Sequence, residues 1–290
     1  MHTPFKTVAL IGKYRSPEIG EPLLRLAKFL AQQGYQIMIS RQTGEAIESL
    51  GYSLATLAEI GERADVAIVL GGDGTMLNIA RNLVNHHVPL IGINQGRLGF
   101  LTDVSIDTML DTIGEMLRGE HTGEERILLN TLVRRDGVSI SDEIAFNDVV
   151  VSKGSAGRLI EFEVSIDGQF VYSQRSDGLV VATPTGSTAY ALSSGGPLLH
   201  PTLEAMVLVP ICPHTLSARP IAVNSHSVVE ITLTHADDAR VHFDGQQHFD
   251  VSVGDRIVIQ RTGNTIRLLH PVGHSYYDTL RQKLHWGEKL

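Results

Sequence analysis

The chain has a single cysteine, Cys212, among its 290 residues. That excludes an internal disulfide and any Cys-rich zinc or iron–sulfur site, and it suits a reducing cytoplasm. Positive charge is also scarce: 24 Lys and Arg stand against 32 Asp and Glu, a net charge of −8. Non-specific nucleic-acid binding runs on phosphate neutralisation by Lys and Arg, so no nucleic-acid partner is expected. Long apolar runs are missing. Near the start, the stretch from Val8 to Ile11 is too short for the core of a secretory leader. The longest segment without Asp, Glu, Lys or Arg runs from Gly178 to Leu203 and holds Pro184, Pro197, Pro201 and four glycines. It cannot be a membrane helix, and no membrane partner is expected. What the chain does have is 42% apolar residues, enough for a packed core, in a length that allows one large domain or two ordinary ones.

The first ~115 residues alternate β-branched runs with helical patterns. Thr7–Gly12, Tyr35–Ile39, Val66–Leu70 and Pro89–Ile93 read as strands. Leu23, Leu26, Ala27 and Leu30 recur at helical spacing before Gly34, and Met76, Leu77, Ala80 and Leu83 mark another helix. Strands apolar on both faces and separated by helices predict an open parallel sheet, Rossmann-like in architecture. After a helix around Thr108–Arg118 the texture changes to short strands in close succession: 127–135, 140–146, 159–166, 169–173, 179–182, 228–234, 240–244, 250–253, 256–260 and 266–269. Asp167-Gly168 between two of them is a hairpin signal. The expectation is an α/β domain over residues 1–120, with 271–290 and its helix Tyr276–Leu284 packing back on it. A β-rich, β-sandwich-like domain is expected over 121–270.

Four segments carry chemistry. Gly71-Gly72-Asp73-Gly74-Thr75 sits between the Val66–Leu70 strand and the following helix, where glycine N–H groups and a helix N-terminus favour phosphate. An acid there repels phosphate unless it binds a metal or takes a proton from an attacking hydroxyl; the plain alternative is a βα turn with Asp73 as helix cap. The loop is neither a G-x-G-x-x-G fingerprint nor a Walker motif. Asn94-Gln95-Gly96-Arg97-Leu98-Gly99-Phe100-Leu101 lies past the next strand, at the end of the sheet where ligands sit, or is simply a tight turn anchored by Phe100. Asn147-Asp148 interrupts an apolar stretch and either grips a ribose or base edge or turns the chain. The block Asp177–Pro197 gathers Thr183, Thr185, Ser187 and Thr188 within six residues, predicting a neutral polar surface for sugar or phosphate oxygens, with Tyr190 as a flat apolar face. The thirteen histidines are scattered and read as surface or satisfied core, and Cys212 as a buried inert thiol.

Together with Pro213-His214-Thr215-Leu216-Ser217-Ala218-Arg219-Pro220 and Asp244-Gly245-Gln246, these motifs resemble the signature set of the NAD kinase family, bacterial type. The resemblance runs from about residue 65 to 250. It implies ATP-dependent phosphorylation of the adenosine ribose 2′-hydroxyl of NAD, a divalent cation such as Mg²⁺, and a homo-oligomer, dimer or tetramer; the cytoplasm is the compartment expected from the cysteine count and the lack of a leader or membrane helix. Carried over by motif, Asp73 is the proton acceptor and Gly71, Gly72, Gly74 and Thr75 form the phosphate loop. Gly74, Asn147, Asp148, Asp177 and the run Thr188, Ala189, Tyr190, Ala191, Leu192 and Ser193 match residues that bind NAD, as do Arg158, Arg175 and Gln246. The metal ligands are not indicated. Lipid kinases and phosphofructokinases share the glycine loop, and a non-catalytic dinucleotide sensor could use the same pocket. A sensor gains nothing from a carboxylate near phosphates, and a lipid kinase needs a membrane-facing surface that this chain does not show.

Overall fold

A computed structural model describes residues 5–13, 16–44, 51–155 and 158–286; residues 1–4, before the stretch read for a leader, lie outside them. It divides into two compact units, Met1–Glu125 with Ile266–Leu290, and Arg126–Thr265.

In the first unit the strands Ser53–Ala55, Gln36–Ser40, Thr7–Gly12, Val66–Leu70 and Leu90–Asn94 run parallel in that spatial order. Every residue of Val66–Leu70 and Leu90–Asn94 is buried, as a sheet covered on both faces requires. The helix Gly20–Gln32 presses Leu23, Leu26, Ala27 and Leu30 onto this sheet, each worth ~1.5–3 kcal/mol for the larger side chains. Gly34 then leaves the helix at φ +91°, a conformation open to glycine. The short helix Leu57–Arg63 was not expected, although its start carries a legible signal: Thr56 and Glu59 form a reciprocal capping box. At the other end of the unit, Leu268 of the long strand Arg256–Pro271 lies parallel to Leu90, and the helix Tyr276–Leu284 follows.

The second unit is a sandwich of antiparallel sheets. One orders Ile221–Asn224, Ala205–Ile211, Gly178–Ala182, Asp148–Lys153, Ala239–Phe243 and Gln247–Val251. The other pairs Gln169–Ser176, Ile160–Ile166, Val229–His235 and the first half of Arg256–Pro271. Val149, Val151, Leu179 and Val181 of one sheet share a core with Phe162, Val164, Ile231 and Ile257 of the other. Alternate residues Val150, Val180 and Ala182 point to the opposite face, where Ala191 and Leu199 cover them. That double burial explains why Gly178–Ala182 reads as an unbroken apolar run. Asp167 and Gly168 form the expected hairpin turn, with φ of +52° and +75°.

Three expectations change. The runs 256–260 and 266–269 are one strand, because the intervening Arg261–Thr265 stays extended. Ala205–Ile211 and Ile221–Asn224 are strands that the pattern did not single out. Cys212 is exposed, not buried: it leaves the sheet at φ +45° immediately after Ile211.

Candidate functional site

Within the first unit the strand Val66–Leu70 delivers Gly71 and Gly72 to the start of the helix Asp73–Leu83. Gly72 is the N-cap and Asp73 the first helical residue, where a negative charge suits the positive end of the helix. The Asp73 side chain caps nothing in its own helix. Its Oδ2 accepts the Phe100 N–H at 2.9 Å and its Oδ1 the Leu101 N–H at 3.0 Å. Thr102 Oγ1 is a second donor to Oδ1 at 3.5 Å. The cap reading is therefore replaced by a cross-loop clamp, in which Oδ2, with one donor, keeps a second lone pair.

The partner loop is itself held. Asn94 is buried, and its Nδ2 donates to the Thr102 and Val104 carbonyls at 3.1 Å each, while its Oδ1 accepts the Gly96 N–H at 3.1 Å. Gly92 lies so close to the Leu101 carbonyl and Thr102 that a Cβ would strike them. Phe100, read as the anchor of a tight turn, is only half-buried; what it and Leu101 contribute is their amides, which hold the Asp73 carboxylate.

In the second unit, the bend between the strands Val138–Ala145 and Asp148–Lys153 is organised by Asp244. Its carboxylate accepts the backbone N–H of Phe146 (3.0 Å), Asn147 (2.7 Å) and Asp148 (3.2 Å). Asp244 and Gly245 both adopt positive φ, +52° and +62°, which a D-G pair tolerates. Asp148 is buried there. Burial, and after it the Asp244 charge, pushes its carboxyl up to about 7. Asn147, Asp148, Ala189, Tyr190, His242 and Asp244 line a cavity of about 360 Å³, within the usual range for small-ligand sites. Asn147 and Asp148 thus both turn the chain and face a cavity.

His242 was not singled out from the sequence; only its place in an alternating strand could have pointed to it. Burial, then His248 and Arg240, lowers its pKa, favouring the neutral ring.

The hydroxyl-rich block does something else. Thr183 Oγ1 donates to the Phe146 carbonyl (2.7 Å), Ser187 Oγ to the Pro184 carbonyl (2.7 Å), and Thr185 Oγ1 accepts from Arg126 Nη1 (2.9 Å). These three side chains are buried and spent on the protein itself, so they do not form the expected polar surface. Thr188, half-buried, donates to the Thr185 carbonyl. Gly186 abuts the Asn147 backbone, where a Cβ could not fit. The block is a buttress that sets Asn147 and presents Ala189 and Tyr190; Ala191 faces the core, and Leu192 and Ser193 continue past the cavity lining.

Other expected positions lie elsewhere. Asp177 pairs with Lys153 Nζ at 2.7 Å, at the far end of Gly178–Ala182 from Asp148. Arg175 lines a second cavity of about 680 Å³ with His214 and Arg219, and faces Glu161 at 3.6 Å. Arg158 is exposed beside Asp237. Gln246 is exposed next to the cavity residue Gly245.

A glycine turn that sets an acid at a helix N-terminus, and a second fold unit with a cavity of small-ligand size where Asn147 and Asp148 face Ala189 and Tyr190, define a small-molecule kinase. The models of the ATP-NAD kinase N-terminal domain and ATP-NAD kinase C-terminal domain match residues 8–121 and 146–270. An NAD kinase of Thiobacillus denitrificans is 58% identical over 290 residues, all of both chains. Among solved structures, yeast NADH kinase complexed with NADH superposes with a TM-score of 0.91 at 24% identity, covering 99% of this chain and 90% of that one. An NAD kinase from Archaeoglobus fulgidus in complex with ATP gives 0.75 at 25% identity, covering 96% and 98%. The chain belongs to the NAD kinase family.

Proposed function

We propose that this chain transfers the γ-phosphoryl group of ATP to the adenosine ribose 2′-hydroxyl of NAD, giving ADP and NADP, with Asp73 as the proton acceptor. The observation that carries the assignment of Asp73 is its clamp by the Phe100 and Leu101 amides. A bond forms between the ribose 2′-oxygen and the γ-phosphorus, the bond from that phosphorus to the bridging oxygen breaks, and the hydroxyl proton passes to Asp73. Such a transfer asks little covalent help from protein and much positioning. The two amide bonds fix the carboxylate plane, and Oδ2, which accepts only the Phe100 amide, keeps a lone pair for the hydroxyl proton.

Gly71, Gly72, Gly74 and Thr75 form the loop for the phosphates. A single carboxylate, already bound to two N–H groups, makes no cage for a cation. Mg²⁺ therefore enters as part of the ATP substrate, held by its phosphate oxygens and water, and neutralises charge there.

Asn147, Asp148, Ala189 and Tyr190 receive one nucleoside half of NAD, which is all that about 360 Å³ accommodates. Thr188 and Ala191 back the wall of this subsite, and Leu192, Ser193, Gln246, Asp177, Arg158 and Arg175 serve the parts of the dinucleotide that extend beyond it. The enzyme works in the cytoplasm as a homo-oligomer. Support for self-association comes from Phe170, Val171, Leu216 and Ile221, all exposed on the second unit. No helix among the described residues is long and apolar enough to cross a membrane.

The test is NADP formation from ATP, Mg²⁺ and NAD by the wild type and by Asp73→Asn. A positioned base contributes ~10²–10⁴-fold, so turnover should fall by that factor while NAD still binds. Retention of more than about a tenth of wild-type turnover would make Asp73 scaffold.

A further inference from the structure

Away from the glycine turn, three ligand-type side chains of the first unit converge. Asp103 follows the loop that clamps Asp73, His270 lies near the end of the strand Arg256–Pro271, and His274 stands just before the helix Tyr276–Leu284. Asp103 Oδ2 is 2.9 Å from His270 Nδ1 and 3.0 Å from His274 Nδ1. The two imidazoles stack, with centroids 4.3 Å apart and planes at 12°. On its far side, His270 Nε2 lies 3.0 Å from Glu124 Oε1. The second Asp103 oxygen, Oδ1, is buried without a hydrogen-bond partner.

Glu124 accepts the Nε2–H of His270, so in the neutral ring Nδ1 carries a lone pair. That lone pair faces a carboxylate oxygen, which also carries lone pairs, and a second imidazole turns its Nδ1 to the same oxygen. Such a meeting needs a cation. Donor atoms ~3 Å apart are what an ion with bonds of ~2.0–2.2 Å draws together. We propose that Asp103, His270 and His274 form a binding site for a divalent transition-metal ion, with Glu124 as the outer carboxylate that orients His270.

The donor chemistry selects the ion class. Two of three ligands are imidazole nitrogens, which suit zinc-type ions and not Mg²⁺, so the site is separate from the cation carried by ATP. A carboxylate on the remote ring N–H is the usual outer partner of a ligating histidine. Three protein ligands leave positions for water, and the His274 side chain is 18% exposed, giving the ion a way in. The ion would tie the segment after the long strand to Asp103, next to Thr102 and the clamp on Asp73.

The rival occupant is a proton. Burial pulls the His270 ring down, but its hydrogen bonds to Asp103 and Glu124 outweigh that and hold it at about 9. A metal must displace that proton.

The experiment uses the full untagged chain, stripped with chelator and desalted. Zn²⁺ is titrated by calorimetry, retained metal is counted by elemental analysis, and the melting temperature is followed; none of these depends on the proposed role of Asp73. One Zn²⁺ per chain with a raised melting temperature is expected. Glu124→Gln should weaken binding ~10–100-fold, and His274→Gln at least as much. His274 is at the surface edge of the cluster, so that variant should fold even if changes at His270 do not. Substoichiometric retention, or Zn²⁺ bound equally well by His274→Gln, overturns the site and leaves a protonated His270 as the occupant.

Discussion

Gly99 and Asp73 are in contact: the space a Cβ would need at Gly99 is filled by Asp73 Oδ1 and Thr102 Oγ1. The glycine is there for its missing side chain, since its φ is not in the left-handed region and alanine could adopt its backbone. Gly99→Ala must therefore displace the carboxylate from the Phe100 and Leu101 amides. Turnover should fall at least ~10²-fold, the low end of what a positioned base contributes. Turnover within a factor of a few of wild type would mean that the clamp does not matter to the chemistry.

Gly72 offers the opposite case. A Cβ there meets nothing within 4 Å, and φ is −99°. Gly72→Ala should leave stability within about 1 kcal/mol, the scale of an N-cap change. If the open space belongs to a phosphate, the ATP KM should rise strongly with the fold intact. An unchanged KM for ATP would remove Gly72 from the phosphate loop.

Asp244 supports three amides at once, so what replaces it should matter more than that it is replaced. Asp244→Asn keeps an acceptor oxygen and tolerates φ +52°. Asp244→Ala leaves the Phe146, Asn147 and Asp148 N–H groups without their shared acceptor, at ~1–3 kcal/mol for a buried group so orphaned. The alanine variant should unfold at lower denaturant and bind NAD more weakly than the asparagine variant. Equal behaviour of the two would show that the bend at Asn147 does not depend on Asp244.

The parallel sheet was legible because its strands are apolar on both faces, a pattern that few other arrangements produce. Helix Asp73–Leu83 and hairpin Asp167-Gly168 were legible for equally local reasons: 3.6-residue spacing and a turn dipeptide. The hydroxyl block was misread because composition does not say which way a side chain points. Thr183, Thr185 and Ser187 look like ligand donors in a sequence, and only the fold shows their partners to be Phe146, Arg126 and Pro184. Asp244 sat inside a recognised motif, yet its bond to residues almost a hundred positions away is a tertiary fact. His270 and Asp103, 167 residues apart, were beyond any pattern.

The Asp148 carboxyl is pushed up to about 7, first by burial and then by the Asp244 charge. An unfolded aspartate titrates near ~3.9. Between about pH 4 and 7 the native chain therefore holds a proton that the unfolded chain has released. Stability changes with pH as the unfolded state's bound protons minus the native state's, which is negative here, so this group makes the fold less stable as pH rises through that window. Below it both states are protonated and above it both are charged, and the contribution is flat. Asp148→Asn carries no charge at any of these values and should lose the slope. Denaturant midpoints of wild type and variant at pH 5, 6, 7 and 8 should diverge up to about pH 7, with the wild type falling relative to the variant, and run level beyond. Parallel curves across the whole range would mean that Asp148 titrates like an exposed aspartate and that the cavity floor is wet.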